Sequence, residues 1–99
     1  MAGLDYEEIA TLLKVLGNPT RVMIVKELCI GEQCVCDLEN KLEISQANVS
    51  QHLNILKVNG IVNCIPQGNL RCYYLKQPDF IKRLFELIED NERSLAYGK

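Results

Sequence analysis

Two groups of side chains in this 99-residue chain have the types and spacing for chemistry. The first is Cys34 and Cys36, within CVCDL at 34–38. Soft thiolates select thiophilic partners such as arsenite, cadmium or Cu(I). In a regular helix, residues two apart point about 200° away from each other. In an extended segment they face the same side. A Cys-x-Cys pair at a helix start therefore chelates one ion only if the first turn is unformed or distorted. Capture of the ion would pull on that helix and on whatever follows it.

The second group lies in residues 45–60, SQANVSQHLNILKVNG. Val49, Leu53 and Leu56 form one narrow apolar stripe at helical spacing. The remaining surface carries amides and hydroxyls: Gln46, Asn48, Ser50, Gln51 and Asn54. A solvated helix would place Lys and Glu there. Amides and hydroxyls both donate and accept, as reading base edges in a groove requires, and amides suit adenine. Ser45 is a good N-cap, and Gly60 a good stop. Gln46, Asn48, Ser50 and Gln51 are the candidate base readers, and Ser45 at the helix start is a further candidate DNA contact. Lys57 is placed to touch phosphate, which positions without specifying sequence.

The elements that must hold these groups follow from periodicity. Residues 5–16 read as a helix with Ile9, Leu12, Leu13 and Leu16 on one face, ended by Gly17. Asn18-Pro19 restarts the chain as cap and first helical residue. Val22, Val25, Leu28 and Cys29 line the buried side of that second helix. A short third helix over about 35–42 turns inward Leu38 and Leu42, and Glu43-Ile44-Ser45 leads into the fourth. IVNCIP and LRCYYL then read as two strands of a hairpin around Gln67-Gly68-Asn69. Tyr73 and Tyr74 alternate, one inward and Tyr74 outward toward phosphate. Asp79 is placed to cap a last helix to about residue 94, carrying Phe80, Leu84, Leu87 and Ile88 with Ile81 and Phe85 beside them; the tail LAYGK is expected to fray. The whole of 1–99 is one domain in the order α-α-α-α-β-β-α, mainly helical with a small β-hairpin wing. This is a winged helix-turn-helix, with the helix-turn-helix at about 35–59 and the wing at about 61–76.

Composition limits the function. The chain is 47% apolar and 24% charged, which fits a globular domain. No apolar run is long enough to span a bilayer, and MAGLDYEEIA lacks the features of a signal peptide. The expected location is the cytoplasm, with no membrane partner and five cysteines as thiols. Net charge is −2, yet no Asp or Glu occurs from Ile44 through Pro78, where Lys57, Arg71 and Lys76 lie. A local positive field binds phosphate on an otherwise acidic molecule. So weak a field calls for a dimer to double the contacts. There is no Gly-rich phosphate loop, no nucleophile with a plausible base and a single histidine, so an enzyme is not expected. A protein–protein module remains the remote alternative.

Four segments in order resemble the ArsR/SmtB family of metal- and stress-sensing repressors. LGNPTR at 16–21 resembles the family's opening of its second helix, and SQANVSQHLNILKVNGIV at 45–62 its recognition helix. Gly68 to Tyr74 resembles its wing, and CVCDL the thiol motif of its arsenite- and cadmium/lead-sensing branches. The resemblance implies a homodimer paired through the first and last helices, about 5–16 and 79–94. It implies binding of double-stranded operator DNA in the apo form and release when an inducer binds. It also makes His52 a DNA contact. The wing reads CIPQGNLRC, where the family is usually rich in Arg and Lys, so Arg71 is its candidate contact.

Carried over to this chain, the resemblance makes Cys34 and Cys36 ligands for As(III), Sb(III) or a soft metal ion, with no cofactor needed for folding. Arsenite prefers three thiolates, and the branch's third cysteine is replaced here by Glu39. Cys29 is the possible substitute. The cadmium/lead branch adds cysteines from the N-terminal arm, which has none here. A zinc-type site on the last helix needs histidine, and the only histidine is His52. Cys64 and Cys72, equidistant from Gly68, would face each other across a three-residue loop as a second thiol pair. The alternatives are a repressor responding to oxidants or reactive sulfur through Cys34 and Cys36, and a family member that senses no metal.

Overall fold

The computed structural model describes residue 3 and residues 5–97, with side chains through 92. The end of the LAYGK tail, 98–99, lies outside the described residues. Helix α1 (Tyr6–Leu16) begins where the Asp5 carboxylate accepts from the backbone N–H groups of Glu7 and Glu8, at 3.0 and 3.1 Å. Helix α2 (Pro19–Leu28) begins where Asn18 Oδ1 accepts from Arg21 N–H at 3.1 Å, with Pro19 in the first turn. Both caps satisfy donors that a helix start leaves unpaired.

A two-residue strand, β1 (Gln33–Cys34), follows and runs directly into α3 (Val35–Leu42). Glu43, at φ +54°, closes the turn in the left-handed region. Ser45 Oγ then caps α4 (Gln46–Val58) by accepting from Asn48 N–H at 3.3 Å. Strands β2 (Val62–Gln67) and β3 (Leu70–Leu75) form the wing, and α5 (Pro78–Tyr97) closes the chain.

The sheet has three antiparallel strands in the order β1-β3-β2, not the two expected. β1 was invisible to periodicity because two residues show no period. It is held by Gln33, which is buried among apolar groups but fully used. Its Nε2 donates to Glu27 O at 2.7 Å and its Oε1 accepts from Lys41 Nζ at 3.0 Å. Lys41 also pairs with Glu27 at 3.3 Å. One amide thereby ties α2, β1 and α3 together. The hairpin loop is two residues, not three, since Gln67 pairs with Leu70. Gly68 takes φ +63° at the first central position, where a II′ turn favours glycine.

The core gathers Ile24, Val25, Leu28, Leu38, Val49, Leu53, Leu56, Val62 and Ile81. Ile24, absent from the expected face of α2, is fully enclosed; Val22 and Cys29 are only half-buried. On α5 the inward residues are Ile81 and Phe85, while Phe80, Leu87 and Ile88 point outward. On α1, Val15 is buried, while Ile9 and Leu13 are exposed. Asp79 does not cap α5; it lies inside the first turn of a helix already begun at Pro78. Among the described residues no helix is long and apolar enough to cross a membrane.

Leu53 is fully enclosed at the centre of this core. Leu53→Ala is expected to lower unfolding free energy by about 2–5 kcal/mol, read as a lower urea midpoint at unchanged slope.

Candidate nucleic-acid interface and thiol pair

Helix α4 is anchored by Val49, Leu53 and Leu56, each with no exposed surface. That fixes its rotation. Ser45, Gln46, Asn48, Ser50, Gln51 and Asn54 are all exposed on the opposite side, and Lys57 is exposed in the last turn. The ridge therefore stands free of the rest of the subunit. Arg71 is exposed on β3, Tyr73 is buried in the core and Tyr74 is half-buried.

His52 is half-buried at the margin of the ridge and has a partner that the sequence did not announce. Arg21 Nη1 lies 3.3 Å from His52 Nδ1, and Arg21 Nε donates to Val15 O at 2.5 Å. A guanidinium only donates, so Nδ1 accepts and a single ring proton sits on Nε2. Arg21 thus orients the imidazole and leaves Nε2–H as its free donor. The nearest sequence clue to Arg21 was its place in LGNPTR.

The thiols are arranged differently from the expectation. Cys34 is the last residue of β1 and the N-cap of α3, in extended backbone. Its N–H donates to Asp37 Oδ2 at 3.2 Å. The sheet register sets Cys34 opposite Cys72, Cα atoms 3.9 Å apart, and the two are joined as a disulfide. Cys36 is a free, exposed thiol in the first turn of α3. Cys29 is half-buried at the C-cap of α2; burial pushes its pKa up, while Lys26 and Lys82 pull it down less. Cys64 is half-buried against the core.

Cys64 and Cys72 are not a pair. The two-residue turn sets Cys64 opposite Tyr73 and Ile65 opposite Cys72. One residue of offset puts the two thiols on opposite faces of the sheet. Nor do Cys29, Cys34 and Cys36 converge: no group of three His, Cys, Asp or Glu able to hold a metal ion occurs among the described residues. A cleft of ≈ 700 Å³ opens between the start of α1, the end of α4 and the start of α5. It is lined by Asp5, Glu7 and Glu8 but by no thiol or basic group, so it suits neither DNA nor a thiophile.

Residues 18–63 match the model of the bacterial regulatory protein arsR family. The chain is 40% identical over 86 residues to an HTH-type transcriptional regulator of Methanocaldococcus jannaschii, covering 86% of this chain and 96% of that one. It is 34% identical over 95 residues to the arsenical resistance operon repressor of Staphylococcus xylosus, covering 94% and 91%. The fold superposes at a TM-score of 0.81, with 25% identity, on the homodimeric winged helix-turn-helix DNA-binding domain of a possible ArsR-family regulator from Mycobacterium bovis, covering 100% and 96%. Likeness on this scale along nearly the whole chain, with the same architecture, places the protein in the arsR family of bacterial regulatory proteins, DNA-binding transcriptional repressors and not enzymes.

Proposed function

We propose that this repressor acts in the cytoplasm as a homodimer. In this reading it holds an operator through two copies of the α4 ridge and releases it when a thiophilic inducer, arsenite or antimonite, binds at Cys34 and Cys36. The observation that carries the reading is the free amide-and-hydroxyl face of α4, set in a stretch from Ile44 through Pro78 that contains no acid. Gln46, Asn48, Ser50 and Gln51 read bases. Ser45, His52 Nε2–H, Lys57, Arg71 and Tyr74 contact the backbone or groove edge. The outward apolar residues Ile9 and Leu13 of α1 and Phe80, Leu87 and Ile88 of α5 supply the dimer surface. As one domain over 1–99, the subunit carries α3, α4 and the wing as its DNA-binding part.

Coupling runs through the start of α3. Cys34 caps it, Cys36 lies in its first turn, and only residues 43–45 separate its end from α4. Gathering both thiols on one ion unwinds that turn and shifts α4 in its groove. Such coupling is reciprocal, so operator DNA weakens inducer binding by the same factor. Response to oxidants through the same region is a second reading, favoured by the Cys34–Cys72 disulfide.

Three outcomes are expected. In mobility-shift titrations on the DNA upstream of its own gene, affinity falls with salt, with a log–log slope of about −5 for roughly six phosphate contacts per dimer; a flat salt response points to a protein-binding module instead. Asn48→Ala or Gln51→Ala costs about 1–3 kcal/mol on the preferred site and relaxes base preference there, read by competition with singly substituted duplexes. Arsenite releases DNA from the wild type, and the Cys34→Ser/Cys36→Ser variant stays bound; release from that variant removes the site. A fourth concerns Cys29. Because burial raises its pKa, less thiolate is present at a given pH. Its iodoacetamide alkylation profile, followed by peptide mass spectrometry, lies at higher pH than that of free cysteine.

A further inference from the structure

We infer that, when reduced, Cys34 and Cys72 form a two-thiolate site spanning β1 and β3. This site takes a trivalent arsenical that carries one carbon substituent. The inference rests on the reading of Cys34 as an inducer ligand and replaces Cys36 with Cys72 as its partner.

The sheet register makes Cys34 and Cys72 direct cross-strand partners, and their sulfurs meet. Neighbours on one face of a sheet need no helix unwinding to share a ligand, unlike Cys34 and Cys36. Cys34 is half-buried, so a ligand reaches the pair from its side, while Cys72 sits beneath it. No third donor joins them: among the described residues no trio of His, Cys, Asp or Glu is close enough to hold an ion. Inorganic arsenite, with three exchangeable oxygens, is left one thiolate short. An arsenic atom whose third valence is a stable carbon bond fills a two-thiol site completely.

The step balances without an oxidant. A monosubstituted arsenic oxide plus two thiols gives two As–S bonds and one water, which carries away the oxygen and both thiol protons. Arsenic stays trivalent throughout. The disulfide is the closed form of the pair, which a thiol reductant must open first. Placing an arsenic atom between the sulfurs widens β1–β3 at Cys34, and Cys34 is the cap of α3. The displacement therefore enters the helix-turn-helix at its first residue. Because β1 is only two residues long, few ladder hydrogen bonds resist it.

The test uses the full chain, reduced with a phosphine, and phenylarsine oxide as probe. The variant Cys29→Ala/Cys36→Ser/Cys64→Ala keeps only Cys34 and Cys72. It is expected to bind one phenylarsine oxide per chain, by native mass spectrometry, with wild-type affinity. Inorganic arsenite should bind it at least about 100-fold more weakly, and Cys72→Ala should lose about 100-fold in affinity for the aryl arsenical, as when a second intramolecular bond is removed. Circular dichroism melts establish that each variant is folded; the variant retaining only Cys34 and Cys72 decides the matter even if Cys72→Ala does not fold. If that variant fails to bind while Cys72→Ala binds normally, Cys34 and Cys36 are the pair, and this inference falls while the proposed function stands. If it binds the aryl arsenical but keeps its hold on DNA, the site stands and the coupling of that site to α3 through Cys34 falls.

Discussion

Everything at the exposed polar ridge depends on how α4 is clamped. Val49, Leu53 and Leu56 lose all contact with water, against Leu38 of α3, Ile24 and Val25 of α2 and Val62 of β2 within one cluster. Each such side chain contributes about 1.5–3 kcal/mol on burial, so rotation of α4 about its own axis is opposed by several kcal/mol. The exposed ridge is the complement of that stripe. A helix with a broader apolar face would leave fewer polar positions free, and one with a weaker stripe would not hold them in register. The ridge is thus set by what lies behind it. The same clamp passes any shift of α3 on to α4, because Leu38 shares the core with all three anchors.

The second constraint is a buried amide. Gln33 is the one buried polar side chain among the described residues, and it spends both ends of its amide on α2 and α3. An unpaired buried amide costs about 1–3 kcal/mol, so β1 cannot leave this position without Gln33 finding water. Cys34 is the next residue. The thiol that starts α3 thus sits next to a tether to α2 and α3, so a displacement at Cys34 is passed on to those helices. The Gln67 amide, which donates to Glu32 at 2.8 Å, adds a tie between the far end of β2 and the approach to β1.

Much of this was readable in the residues. The helices over Tyr6–Leu16 and Val35–Leu42 carry strong periodicity, and those over Pro19–Leu28 and Gln46–Val58 are marked more by their side-chain caps, Asn18 and Ser45. Local rules suffice there. The misses are of other kinds. β1 exists because of a partner strand 38 residues away, which no local pattern reports. A loop of two residues in place of three moves the thiol register by one, and in a sheet one residue exchanges faces. Glu43 gave no sign of its left-handed backbone, since glycine or asparagine is the usual signal. On α1 and α5 the apolar stripe was found but is divided between the subunit's own core and an outward face. A stripe tells how much surface is apolar, not what covers it.

That division bears on the charge problem. One subunit carries net −2 and offers Lys57, Arg71 and Lys76 in its acid-free stretch. Three cations give weak attraction to a polyanion at physiological salt, where exposed charges beyond about 8 Å are screened. The outward residues Ile9, Leu13, Leu87 and Ile88 lie on α1 and α5, elements apart from the α4 ridge and the wing. In the proposed dimer, pairing there would double the cations offered to a duplex and leave the exposed polar side chains of α4 uncovered. Acidic composition and DNA binding are compatible because every acid lies outside the stretch from Ile44 through Pro78 that holds α4 and the wing. A subunit with the same residues but an apolar patch on α4 would have to choose between dimer and duplex.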